Sequence, residues 1–152
     1  MARFDASGRL IRAAQAYARA AARGGFGGRL ARALAKRRLA FWGTIAGSEI
    51  VPGATLGRRL SLPHPNGLVI HQNAVVGDDC MIMQQVTLGQ TAGDGAPAIG
   101  NGVYVGAGAK LLGGIRIGDG ARIGANSVVL EDVPAHATVV GIPARIVRQR
   151  PM

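Results

Sequence analysis

Cysteine is nearly absent: Cys80 stands alone in 152 residues, so no intrachain disulfide can form and no CxxC pair exists to hold a metal. A disulfide-stapled extracellular scaffold is therefore not the expectation, and a reducing, cytoplasmic compartment is. Acidic residues are also scarce, eight against 18 Lys and Arg, and no group of His, Cys, Asp and Glu has metal-ligand spacing. No segment reaches the ~18 consecutive apolar residues needed to span a bilayer. Aromatic residues number only six beside 24 glycines. Disorder does not explain that balance, because hydrophobic residues make up 48% of the chain. A core of thin stacked layers, with no room for many rings, does.

What the sequence does contain is a six-residue rhythm. Aliphatic residues stand at Ile50, Leu56 and Leu62, resume at Ile70, Val76, Ile82 and Leu88, and continue at Ile99, Val105, Leu111, Ile117, Ile123 and Val129. Six is neither the strand period nor the helix period, so the repeat itself is the signal, and it reads as a parallel β-helix. Each hexapeptide supplies a short strand and a turn, and three of them close one triangular coil. The aliphatic residue points inward, and four positions later comes a second, often smaller inward residue: Ala54, Ala74, Cys80, Val86, Val103, Ala109, Ala121 and Ser127. Glycine follows the aliphatic residue at Gly57, Gly77, Gly89, Gly100, Gly106, Gly118 and Gly124, where a tight corner is expected to need backbone freedom. One coil cannot bury its own inner face, so stacking must build the core. A sandwich of short strands would instead show alternation and turn signals about every 8 to 12 residues.

Three segments follow: a basic helical leader or cap over 1–48, the β-helix over 49–134 with a loop at 90–98, and a closing segment over 135–152. The charge is concentrated in the first. Residues 1–49 hold ten Lys and Arg against Asp5 and Glu49, whereas the remainder holds eight against six. Leu10, Ala14, Tyr17 and Ala21 predict one helix from Ser7 to Arg23. Gly24, Gly25, Gly27 and Gly28 predict a break around Phe26, and Leu30, Leu34 and Phe41 a second helix from Arg29 to Phe41. A cap over the open end of the β-helix is the natural use of these helices. Their positive charge also suits peripheral contact with the inner membrane surface. No nucleic-acid recognition motif accompanies the charge, so nucleic acid is not an expected partner.

The rhythm is interrupted twice, and interruptions of a regular scaffold are where function is expected. Between Leu62 and Ile70 the spacing grows to eight, pushing Pro63-His64-Pro65 out of register with prolines restricting the backbone on both sides of the imidazole. Between Leu88 and Ile99 it grows to eleven, giving a polar, glycine-rich loop.

The rhythm together with HPNG at 64–67, IMQQVTLG at 82–89 and the run from Ile99 through GIPARIV to Val147 resembles the bacterial hexapeptide-repeat acyltransferases. Within them it is similar to the serine acetyltransferase-like branch, over residues 43 to 148. That resemblance implies a left-handed parallel β-helix, a homotrimer with the active site between subunits, and transfer of an acetyl group from acetyl-CoA. It places the general base, the histidine of an H-x-x-G motif, on His64 with Gly67, and its acidic partner on Glu49, where the family usually has Asp. An imidazole suits the task because it titrates near neutrality. The resemblance puts CoA in a groove along the β-helix, with Gly89, Ala107, Gly108 and Ala125 offering backbone and Lys110 and Arg145 meeting the phosphates. Pro63, Asn66 and Asp94 are the expected acceptor-facing residues. His71 is the runner-up base, and His136 is expected to be structural.

Departures from serine acetyltransferase proper bear on the acceptor. That enzyme has a long helical N-terminal domain, an Asp where this chain has Pro63, and an Arg-His pair in a GDRHPKI loop where this chain has Gly95 and Ala96. It also has a tail beyond the position of Met152. These differences lead to the expectation of an acetyl-CoA-dependent O-acetyltransferase acting on a hydroxyl of a sugar or glycan intermediate, closest in character to exopolysaccharide and colanic-acid-type O-acetyltransferases. Serine O-acetylation in cysteine biosynthesis is the alternative in the same class, and a non-catalytic β-helix scaffold the alternative in another.

Overall fold

The structure, a computed structural model, describes residues 5–91 and 95–149. It opens with two helices, α1 (Ala6–Ala21) and α2 (Gly25–Ala46). Asp5 caps α1 by accepting the Gly8 N–H at 2.7 Å, which satisfies one of the orphan donors of the first turn. Leu10, Ala13 and Ala14 of α1 and Leu39 and Ala46 of α2 join the same core as the β-helix, as a cap must.

Only Ala22 to Gly24 interrupts the helices, a shorter break than expected, and α2 begins four residues before Arg29. Gly28 explains part of this. A Cβ there would lie 2.3 Å from the Arg23 carbonyl oxygen, so this glycine permits close passage of the turn and does not break the helix. At the other end Gly47 takes a left-handed conformation (φ 63°), and the Ser48 N–H donates to the Gly43 carbonyl, closing α2 and turning the chain into the first coil. The outer side of α2 leaves Phe26, Leu30, Leu34, Phe41 and Ile45 exposed. Among the described residues no helix is long and apolar enough to cross a membrane.

The remainder is a parallel β-solenoid with three faces. The first face holds β1 (Glu49–Ile50), β3 (Val69–Ile70), β6 (Thr87–Gly89), β9 (Lys110–Leu112) and β12 (Val128–Val129). The second holds β2 (Thr55–Leu56), β4 (Val75–Val76), β7 (Ala98–Ile99) and β10 (Arg116–Ile117). The third holds β5 (Met81–Ile82), β8 (Tyr104–Val105), β11 (Arg122–Ile123) and β13 (Ala137–Gly141), and β14 (Ala144–Gln149) returns antiparallel to β13 to close the end.

Every aliphatic residue of the six-residue series is buried, as is every one of the second inward positions from Ala54 to Ser127. Each full burial of an Ile, Leu or Val stabilises by about 1.5–3 kcal/mol, so the stacked column supplies the dominant favourable contribution.

The reason for the corner glycines differs from the expectation. Gly57, Gly77, Gly100, Gly106, Gly118 and Gly124 do not have positive φ. They are glycines because the next coil passes too close: a Cβ on Gly57 would lie 2.3 Å from the Gly77 carbonyl oxygen, and one on Gly118 2.3 Å from the Ala135 nitrogen. The left-handed residue sits two positions later; it is again glycine at Gly102, Gly108 and Gly120 but carries a side chain at Arg59, Asp79 and Asn126, as do the left-handed Gln85 and His136 at other corners.

The corner between the second and third faces carries a side-chain ladder. Asp78 accepts the Arg58 N–H at 2.7 Å, Asn101 accepts the Asp78 N–H at 2.8 Å, and Asp119 accepts the Asn101 N–H at 2.7 Å. Arg58 and Arg59 pair in addition with Asp78 and Asp79.

Candidate active site

The His64 loop lies on the corner between the third and first faces. Four backbone bonds run down that corner: Gly67 N–H to Gly47 carbonyl at 2.7 Å, Gln85 to Asn66 at 2.9 Å, Gly108 to Gln84 at 2.9 Å, and Asn126 to Ala107 at 2.8 Å. The two extra residues of the first interruption thus bulge outward while the flanking backbone stays in register. The hydroxyl of Ser48 donates to the Pro65 carbonyl and ties the loop to the residue preceding Glu49. His64 and Pro63 are exposed, as is Asn66, whose side chain crowds Gly47.

Glu49 is exposed at the start of β1, in register with Val69. Among the described residues no hydrogen bond or ion pair joins its carboxylate to His64. What brings the two segments together is the contact between Ser48 and Pro65, with Glu49 and His64 each one residue removed from it.

Ala107, Gly108 and Ala125 share the corner of the His64 loop. The Ala107 carbonyl and the Gly108 N–H are engaged in the corner ladder, whereas the N–H groups of Ala107 and Ala125 make no backbone hydrogen bond among the described residues. Ala125 is exposed and Ala107 half-buried, so unpaired donors and small side chains coincide along this edge. That combination fits an extended, amide-bearing chain lying against the backbone.

Lys110 reaches the same edge, its Nζ donating to the Gln85 carbonyl at 2.6 Å. Gly89 lies at the far end of the first face, on the other corner. A Cβ there would meet only side-chain atoms of Leu112 and Thr87 at 3.1 and 3.4 Å, so packing demands it less than it does the glycines between coils. Arg145 is on β14 at the closing end, donating to the Ala144 carbonyl at 3.0 Å with Glu131 at 3.9 Å. Asp94 lies outside the described residues.

His71 is held as a corner residue, its Nδ1 accepting the Asn73 N–H at 3.2 Å. His136 occupies a left-handed corner position, exposed at φ 58°. Among the described residues no group of three or more His, Cys, Asp or Glu is placed to hold a metal.

A cavity of about 400 Å³ opens between α2 and the first coil. Lys36, Leu39, Ala40, Gly43 and Thr44 line one side at helical spacing, and residues 47–52, Ser48 and Glu49 among them, line the other. Lys36, Thr44 and Ser48 were not singled out from the sequence, because only the turn at Gly47 folds α2 back over the first coil. The sole local signal was the glycine that ends the helix.

A parallel solenoid of six-residue repeats, with a histidine loop and an uncovered backbone edge on one corner, defines a hexapeptide-repeat transferase. Residues 97–131 match the family model of the bacterial transferase hexapeptide (six repeats), and the chain belongs to that family. Serine acetyltransferases are among its relatives. That of Synechococcus elongatus is 54% identical over 106 residues, covering 68% of this chain and 43% of the relative. The crystal structure of serine acetyltransferase in complex with coenzyme A from Brucella abortus superposes with a TM-score of 0.80 at 36% identity, covering 99% of this chain and 62% of that one. Neisseria gonorrhoeae serine acetyltransferase in complex with serine gives 0.78 at 42% identity, covering 90% and 54%. The chain thus spans about half the length of the relatives it matches.

These findings correct the expected acceptor. Relatives at this identity are serine acetyltransferases, and none of the similarity points to an exopolysaccharide-type enzyme, so the sugar or glycan reading and its link to polysaccharide assembly are withdrawn. The physical reason is that the departures at Pro63, Gly95 and Ala96 change side chains on loops. Loop side chains vary without altering the scaffold, and a missing cation on one loop does not exclude a cation supplied by another element.

Proposed function

We propose that this chain transfers the acetyl group of acetyl-CoA to the hydroxyl of L-serine, with His64 as general base. The observation that carries this reading is the 54% identity over 106 residues to a serine acetyltransferase. The His64 imidazole takes the proton of the serine hydroxyl as its oxygen attacks the thioester carbonyl carbon. The carbon–sulfur bond then breaks, and the imidazolium returns the proton to the departing thiolate. Glu49 acts as the carboxylate that orients the imidazole and stabilises its charged form, across the link between Ser48 and Pro65. The N–H groups of Ala107 and Ala125 receive carbonyl oxygens of the pantetheine arm, and Lys110 supplies a cation on the same edge. Three copies associate around the solenoid with the site between them. The exposed Val69, Val75 and Met81 on its outer faces provide apolar surface for that contact.

The test is a thiol-release assay with acetyl-CoA, comparing L-serine with nucleotide sugars. Serine is the expected acceptor, and His64→Ala should lower turnover by ~10² to 10⁴. Absence of serine turnover together with failure of calorimetry to detect acetyl-CoA binding would leave a scaffold role. An unchanged His64→Ala rate would move the base elsewhere.

A further inference from the structure

Serine presents three recognisable groups: a carboxylate, an ammonium and the reacting hydroxyl. A site for it therefore needs a cation, placed apart from the base, that is not already held by another group of the protein. Most cations of the solenoid are committed. Arg58 and Arg59 pair with Asp78 and Asp79, the Lys110 ammonium donates to Gln85, Arg122 lies over the Tyr104 ring at 4.8 Å, and Arg145 bonds Ala144.

The cavity between α2 and the first coil holds a different case. Lys36 is the one cation and Glu49 the one carboxylate among the residues that line it, and Lys36 makes no hydrogen bond or ion pair among the described residues. Leu39 is buried and Ile50 is 4% exposed, so part of the wall is apolar and strengthens any charge–charge contact made inside. Ser48 links the cavity to the His64 loop, since it lines the cavity and its hydroxyl donates to the Pro65 carbonyl. A cavity of about 400 Å³ leaves ample room for a three-carbon amino acid.

We propose that Lys36 determines acceptor specificity by receiving the α-carboxylate of serine in this cavity. The proposal rests on the serine reading above and extends it. Lys36 does not touch the reacting atoms, so its contribution belongs to binding and positioning of the acceptor, not to proton transfer. The cation comes from α2, the element that caps the solenoid, while Gly95 and Ala96 of the second interruption bring none.

The experiment compares L-serine with L-serine methyl ester and serinol, which keep the ammonium and hydroxyl but lack the carboxylate. Each is assayed with the full chain, with Lys36→Met and with Lys36→Arg. The native protein should prefer serine. Lys36→Met should raise the KM for serine on the order of 10- to 100-fold, as expected for a charged hydrogen bond removed from a partly enclosed site. It should leave the KM for acetyl-CoA and the turnover of the ester unchanged, and Lys36→Arg should recover most of the preference. An equal loss for serine and ester, or a native KM for serine in Lys36→Met, would overturn the assignment. If the native chain acetylates no serine at all, the functional reading fails first and takes this one with it. If it acetylates serine but Lys36→Met is silent, only the role of Lys36 falls.

Discussion

Replacement of Gly77 by Ala separates two explanations of the corner glycines by the sign of its effect. Gly77 does not have positive φ. If glycine served only to give the chain freedom, Ala would fit the native conformation and stabilise the protein by about 0.4–1 kcal/mol through the unfolded state. The structure predicts the reverse. A Cβ on Gly77 would lie 2.5 Å from the Gly100 carbonyl oxygen and 2.6 Å from its carbon, and both are backbone atoms that no rotamer change can move. Relief requires the two coils to separate at this corner. That strains the bond from the Gly77 N–H to the Ile99 carbonyl, now 2.8 Å, and loosens the packing of Val76 over Ile99. Overpacking costs about 1–3 kcal/mol, and a weakened buried backbone bond about 1 kcal/mol more. The expected loss is therefore about 2–4 kcal/mol. Gly27→Ala is the control: nothing lies within 4 Å of its Cβ, it is helical, and a gain of up to about 1 kcal/mol is expected. Both are read from urea unfolding followed by circular dichroism and Trp42 fluorescence, at one fixed protein concentration so that association does not enter the comparison. A Gly77→Ala protein as stable as the native one would refute the steric account.

Two further outcomes follow from the solenoid. The Asp78 carboxyl is held below its ordinary range by the Arg58 backbone N–H and then its guanidinium, and the Asp79 carboxyl by its side-chain hydrogen bonds to Arg59. Lowered folded values mean that this stabilisation is complete above the unfolded carboxyl range, about pH 4, and is lost as the pH falls below it. Asp79→Asn should therefore flatten the acid limb of a plot of urea midpoint against pH, with less effect in high salt because the pair is exposed. Cys80 is buried and burial pushes its thiol up, so a thiol reagent at neutral pH should leave the folded protein unlabelled and modify one equivalent after denaturation.

Much of the architecture was legible because the solenoid core has a strict local period. Where the six-residue spacing is unbroken, the described residue four positions after an aliphatic one returns to the inside, so Cys80 and Ser127 are recognisable as interior despite their chemistry. The outward bulge at His64 was legible for the same reason, since two residues too many cannot fit an inward register. Contacts between coils were less accessible. The glycines at 57, 77 and 118 stand where they were noticed, but their cause is the backbone of a coil roughly one turn away, and the sequence of a single hexapeptide does not contain that neighbour. The helices show the same limit: Gly27 and Gly28 look like breakers until the packing of Gly28 against Arg23 is seen. The acceptor is not legible for a related reason: the loops at Pro63 and Gly95 show which side chains are absent there, not which ones another element brings to the site.

By itself, then, the sequence determined the repeat, the direction in which each residue of the column faces, and the position of the histidine loop, because all of these follow from spacing along the chain. Only the tertiary structure decided what stands opposite that loop. The left-handed turn at Gly47 folds α2 over the first coil, and that fold sets Lys36 and Glu49 around one cavity and Ser48 against Pro65. Such meetings arise from the path of the chain between elements, and no periodicity encodes them.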